Sequence, residues 1–210
     1  ESFAIALKNE ELHRRIEKCK IMRLNSKKEA TRKLAAFPYK FGEIRYKESE
    51  CIIIPAVSSE RREYIPIGYM KAGVIVSNSA FAVYDAPLWL FSILTSKMHM
   101  VWVKTVGGKL ETRYRYSTQL CYNTYPFPSI DCVKKRELEM LAQKLLDIRD
   151  QHFDMTLGEM YNPESMPEDL REAHQRLDLA VDSCYCPEPF ASDEERLECL
   201  FKLYTKMNKK

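Results

Sequence analysis

The chain has 210 residues, 45% of them hydrophobic and 30% charged, which is enough for a sizeable core and excludes wholesale disorder. Six glycines exclude collagen-like, Gly-linker and multi-glycine phosphate-loop designs. A net charge of +3 is too mild to indicate a nucleic-acid partner, but it hides a split: residues 1–133 carry 21 Lys/Arg and 13 Asp/Glu, net +8, and residues 134–210 carry 12 and 17, net −5.

Taken in chain order, residues 7–36 read as helical, with neither Gly nor Pro before Pro38. Between Lys8 and Lys33 lie ten Lys/Arg and four Asp/Glu, a strongly basic stretch. A helix beginning so soon after Glu1, with no initiating Met, is expected of a piece of a longer protein. From Phe41 the pattern turns to β. Gly42–Pro55 alternates and ends in Ile52-Ile53-Ile54, and short strands are expected at Tyr64–Tyr69, Val74–Val76 and Phe81–Tyr84. Ala86–Met98, with Pro87 near its start and Leu90, Phe91, Leu94 and Met98 on its apolar positions, predicts a buried helix. Met100–Val106 and Leu110–Tyr116 flank Gly107-Gly108 and read as a hairpin.

Tyr125-Pro126-Phe127-Pro128 interrupts regular structure, and everything beyond it is helical. Lys134–Asp150 carries Leu138, Leu141, Leu145 and Ile148 on one face. Ser165-Met166-Pro167-Glu168 and Ser192-Asp193-Glu194-Glu195 read as capping boxes heading two further amphipathic helices. The expected class is therefore α+β. A mixed α/β domain over 1–131, with short strands, a buried helix and an N-terminal basic helix, precedes an all-α domain over 132–210.

Catalytic signatures are missing. No Gly-x-Gly occurs, Gly107-Gly108-Lys109-Leu110 lacks the rest of a phosphate loop, and Asn162-Pro163-Glu164-Ser165 lacks the second proline and the aromatic of an amino-methyltransferase motif. The seven cysteines are odd in number and contain no Cys-x-x-Cys pair. They read as reduced thiols of a cytoplasmic protein, with no metal site. His99, between Met98 and Met100, reads as a core histidine. The longest apolar run, Ala86–Leu94, is half a membrane span.

Two features of the basic half suit nucleic acid. Lys27, Lys28, Arg32 and Lys33 fall on neighbouring stripes of the predicted helix and are placed to follow a phosphate backbone; the alternative is an ordinary solvated face. In Lys109-Leu110-Glu111-Thr112-Arg113-Tyr114-Arg115-Tyr116, read as one strand, Lys109, Glu111, Arg113 and Arg115 share a face, with Glu111 and Arg113 on the order of 7 Å apart. Arg donates twice to guanine O6 and N7 and Glu accepts from cytosine N4, so such a pair can read a G·C base pair from both edges. The alternative here is a surface salt bridge of less than about 1 kcal/mol.

Arg61–Tyr69 (RREYIPIGY), Val76–Ser117 and Leu120–Pro128 (LCYNTYPFP) resemble the target-recognition domain of the MmeI-like, type IIL restriction–modification enzymes. MPEDLREAHQRLDLAVDSCY and PFASDEERLECLFKLY resemble the helical C-terminal domain of the same family. The resemblance implies a parent protein combining an endonuclease, an S-adenosylmethionine-dependent adenine-N6 methyltransferase and this recognition module. Double-stranded DNA and the methyltransferase domain would be its partners, and S-adenosylmethionine and Mg2+ the cofactors of the parent rather than of this piece. Carried over residue by residue, base-reading positions fall at Asn78 and Ser79, after Ile75-Val76-Ser77, and at Glu111 and Arg113. The Glu/Arg combination implies C·G at one base pair, and Lys/Asp the reverse. A further reading position falls at Ala56, where alanine offers only contact to a thymine methyl. Lys27, Lys28, Arg32, Arg45, Arg61, Arg62 and Arg115 are the phosphate-contact candidates. The competing expectation is a protein-interaction module that never touches nucleic acid.

Overall fold

A computed structural model describes residues 2–209 and divides into two units, Glu1–Tyr46 and Lys47–Lys210. In the first, the basic stretch is broken into α1 (Ser2–Lys8), α2 (Glu10–Leu24), α3 (Glu29–Lys33) and a 3-10 turn over Leu34–Ala36. The expected continuous helix over 7–36 is interrupted because asparagine serves ends better than interiors. The Asn9 side chain caps α2 by accepting from the Leu12 N–H at 3.1 Å, and α2 closes at Asn25. Arg23 then ties the returning chain, donating to the carbonyls of Leu34, Phe37 and Lys40 at 2.7–2.9 Å. Phe3 stacks on Tyr39 with ring centroids 3.9 Å apart.

The second unit holds two three-stranded sheets. β1 (Cys51–Pro55), β3 (Gly68–Met70) and β4 (Ala80–Tyr84) form one, in the order β3-β1-β4. β2 (Val57–Ser58), β5 (Gly108–Leu110) and β6 (Arg113–Arg115) form the other, in the order β2-β6-β5. All pairings are antiparallel. β1 and β2 are one run of chain broken at Ala56, so a single extended segment enters both sheets. The strands are shorter than the alternation predicts, for physical reasons. Partners reach β1 only from Cys51 onward. Tyr64–Ile67 contains Pro66, which lacks an N–H for a ladder, and buries Tyr64, Ile65 and Ile67 without pairing. Val74–Val76 pairs with nothing in either sheet, and Ile75 is exposed.

α4 (Leu88–Thr95) and α5 (Lys97–Val106) follow β4. The expected single helix over Ala86–Met98 is split at Ser96, whose extended backbone ends α4 and whose Oγ caps α5 at the His99 N–H. Met100–Val106, expected as a strand, is the body of α5. The alternation of Val101, Val103 and Thr105 imitates a strand, but Met98–Val103 is buried all round, where periodicity no longer distinguishes the two. Thr118–Tyr122 forms one π-helical turn before α6 (Cys132–Gln151), α7 (Leu157–Met160), α8 (Glu168–Asp182) and α9 (Asp193–Met207).

The capping expectations met different fates. Ser192 accepts from the Glu195 N–H as predicted, although Glu195 reaches back to the Ala191 N–H rather than to the cap residue. Ser165 does not cap α8; its hydroxyl donates to the Glu159 carbonyl, and Pro167 occupies the cap position. A complete capping box instead joins Thr156 and Glu159 at the start of α7.

The core runs without a break from Ile52, Ile54 and Ile67 through Phe91, Leu94 and Trp102 to Leu138, Leu145, Leu177 and Leu200. α4 packs on α6, and α5 packs on α9, so the helices beyond residue 131 and the sheets before it share one interior. The fold is mixed, with short antiparallel strands in front and helices behind. Among the described residues no helix is long and apolar enough to cross a membrane.

Candidate nucleic-acid interface

The hairpin containing Glu111 and Arg113 grows out of α5. Gly107 ends the helix, and a Cβ there would lie 2.4 Å from the Val103 carbonyl oxygen, so only glycine turns the chain at this point. β5 and β6 pair Gly108 with Arg115, Lys109 with Tyr114 and Leu110 with Arg113. Glu111 and Thr112 are therefore a two-residue loop rather than strand interior. Glu111 has φ of +59°, a conformation that favours glycine in such turns and costs a side-chain-bearing residue about 1–2 kcal/mol.

This reversal corrects the single-strand picture. Residues paired directly across an antiparallel ladder share a face. Arg113 and Arg115 stay on one face, with Leu110 and Gly108, whereas Lys109 moves to the opposite face with Tyr114, its Nζ 5.1 Å from the ring centroid. The turn also brings Glu111 and Arg113 closer than a flat strand allows: Arg113 Nη2 donates to Glu111 Oε2 at 2.7 Å. Both side chains are open to solvent, 76% exposed for Glu111 and 46% for Arg113. An exposed pair of this kind is weak and reopens readily.

Asn78 and Ser79 sit at the apex of a tight turn closed by the Ala80 N–H on the Ser77 carbonyl at 3.2 Å. Ser77 Oγ lies 2.6 Å from Ser79 Oγ and accepts from the Ser79 N–H, which fixes the turn from inside. The Asn78 amide makes no hydrogen bond to the described residues and is exposed.

Three segments distant in sequence meet at Ala56. Its N–H donates to the Ser79 carbonyl and its carbonyl accepts from the Tyr116 N–H, each at 2.9 Å. One backbone chain thus joins the Asn78–Ser79 turn, the break between β1 and β2, and the end of β6. β6 is additionally flanked by β2, with Val57 opposite Arg115. Sequence patterning named the side chains of this surface but missed the main-chain links, which leave no trace in residue identity.

The phosphate-contact candidates are dispersed. Arg115 is exposed on the Arg113 face. Arg61 is paired with Glu164, and Arg62 donates to the Gly158 carbonyl at 3.1 Å, so both join the sheet region to the helices around α7. In the N-terminal unit, Lys27 lies between α2 and α3 and Lys28 is the N-cap residue of α3; the break between those helices removes the predicted shared stripe. Arg32 donates to the carbonyls of Ser26 and Lys27, and Arg45 pairs with Glu43 at 2.7 Å.

Comparison with known proteins bears on the family of the chain rather than on these individual side chains. The model of the MmeI target recognition domain matches residues 1–129, and that of the MmeI C-terminal domain matches residues 130–210. DNA methyltransferase A of Bacillus subtilis (strain 168) is 45% identical over 199 residues, covering 95% of this chain. The solved structure of the Type IIL restriction-modification enzyme MmeI in complex with DNA superposes with a TM-score of 0.87 and 38% identity over 95% of this chain. The chain spans only 22% of the length of the Bacillus protein and 27% of the MmeI chain. With both of the family's domain models laid end to end along its sequence, the chain belongs to the MmeI family, as its target recognition and C-terminal domains.

Proposed function

We propose that the chain is the sequence-reading part of a bifunctional restriction–modification protein, with residues 1–131 as the recognition domain and 132–210 as the helical domain supporting it. Asn78, Ser79, Glu111 and Arg113 read base edges of double-stranded DNA. Arg115, Lys27 and Lys28 contact phosphates. Arg32, Arg45, Arg61 and Arg62 do so only by giving up the partners they hold within the chain. The observation that carries this reading is the Glu111–Arg113 pair, presented at the tip of a hairpin on a backbone that a plain surface loop would give to glycine. Arg113 keeps donors to spare beside Glu111, enough for guanine O6 and N7, while Glu111 accepts from cytosine N4.

Chemistry belongs to the rest of the parent protein. Among the described residues no group of three or more His, Cys, Asp or Glu side chains is placed to hold a metal ion, and the sequence has no Gly-x-Gly turn to cradle a methyl donor. S-adenosylmethionine and Mg2+ are assigned to the methyltransferase and endonuclease regions of a cytoplasmic parent.

The test exchanges the pair, Glu111→Lys with Arg113→Asp, in the full-length protein, followed by mapping of methylated sites. The expected outcome is reversal of one C·G pair to G·C with the rest of the site retained. A site unchanged at every position rejects the assignment, and binding that is indifferent to salt would favour a protein-interaction role instead.

A further inference from the structure

Beneath the proposed reading surface, α5 and the residue that follows β6 are joined by a buried polar contact that the proposed DNA reading does not itself use. His99 and Tyr116 are 0% and 3% exposed, and His99 Nε2 lies 3.0 Å from Tyr116 Oη. His99 is held in the first turn of α5 by Ser96, and its ring meets Tyr125 edge-on at 4.7 Å. Tyr116 packs against Phe81, two residues beyond the Asn78–Ser79 turn, with centroids 6.0 Å apart. Its own N–H is the donor to the Ala56 carbonyl, and Ala56 in turn donates to Ser79. Tyr116 therefore touches the roots of all three reading segments, three residues from Arg113.

We propose that His99 and Tyr116 form a positioning pair that sets the register of the Glu111–Arg113 hairpin against the Ala56 and Asn78–Ser79 segments. The proposal rests on the base-reading assignment above. Packing alone does not call for these residues, because phenylalanine and leucine fill comparable space without burying polar atoms. A buried hydrogen bond between two such groups favours one arrangement over near neighbours, since any shift of Tyr116 leaves both unpaired. The imidazole has no slack to lose: its Nδ1 already lacks a hydrogen-bond partner among the described residues. Base reading tolerates displacements of only about 0.5 Å, so a small register error is felt at the hairpin tip.

The experiment measures, in the full-length protein, methylation rates on the mapped site and on duplexes carrying each single base-pair change. Tyr116→Phe and His99→Leu remove the bond from either end, so the comparison is decided even where one of them does not fold. His99→Gln, which keeps a side-chain hydrogen-bonding group, serves as the conservative rescue. The expected result for the first two is a loss of roughly tenfold in discrimination at the base pair respecified by the Glu111/Arg113 exchange, with the salt dependence of binding unchanged. His99→Gln is expected to retain most of the discrimination. Discrimination kept at every position, with only a lower melting temperature, would overturn the positioning role while the base-reading assignment stands. An exchange that fails to respecify any base pair would overturn both.

Discussion

At the scale of single residues, Glu111 carries a conflict between backbone and side chain. Its φ of +59° is a glycine conformation, yet the carboxylate meets Arg113 at 2.7 Å. Under the proposed base-reading role, local stability and recognition therefore pull in opposite directions. Glu111→Gly should relieve the strain and raise stability by up to about 1 kcal/mol, seen as a higher midpoint in denaturant titration. The same variant should lose preference at one base pair of the methylated site. A variant that loses stability would show that the Glu111–Arg113 contact outweighs the backbone cost. That Glu111 and Arg113 act together was legible in the sequence, since Glu and Arg two apart have an intelligible groove chemistry, and the two do meet. Their geometry was not, because the reversal at Glu111-Thr112 contains none of the Asn, Asp or Gly residues that usually announce a two-residue turn.

At the scale of elements, the hairpin depends on how α5 ends. Gly107 has backbone angles open to any residue, φ −68° and ψ 152°, so conformational freedom is not what demands glycine. Space is: the missing Cβ would press on the Val103 carbonyl at 2.4 Å, and Cys121 Sγ would lie 3.3 Å away. Gly107→Ala should therefore destabilise the chain by about 1–3 kcal/mol and displace the root of β5, checked by denaturant titration and by hydrogen exchange in β5 and β6. The sequence showed that a glycine pair adjoins the hairpin, yet it set the turn at that pair, whereas the turn lies four residues further on, at Glu111-Thr112. The same blindness affected Met100–Val106: where Met98–Val103 is buried throughout, no solvent-facing side marks the helix. The amphipathic helices α6, α8 and α9 were legible because one side of each meets solvent.

At the scale of the whole molecule, buried titratable groups link the front of the larger unit to its helices. Asp178 in α8 accepts from the Tyr64 hydroxyl and from the Lys97 N–H at the start of α5, each at 2.7 Å. Burial raises its carboxyl from 3.8 to about 7, against the lowering influence of those two donors. Its contribution to stability is complete below pH 3.8 and is lost as pH rises through about 7. Burial acts oppositely on His99, lowering its imidazole from 6.5 to about 3, so that contribution is complete above 6.5 and lost as pH falls. His174, also buried and close to Arg149, shifts in the same direction. The two trends offset each other between about pH 4 and 6.5. Asp178→Asn should remove one of them, and thermal melts across this range should then rise more steeply with pH than in the parent chain. Equal slopes would exclude Asp178 as the balancing group. The break at Ala56 has a consequence of another kind. What passes from the Asn78–Ser79 turn through Ala56 to Tyr116 is carried by amides and carbonyls, which every residue except proline supplies in full. The side chain at position 56 takes no part in that link, whereas Ser79 also braces its own turn through the 2.6 Å contact of its hydroxyl with Ser77. Substitution at position 56 by any residue but proline therefore leaves this main-chain frame intact, so under the proposed base-reading role the surface is a fixed socket with an exchangeable tooth.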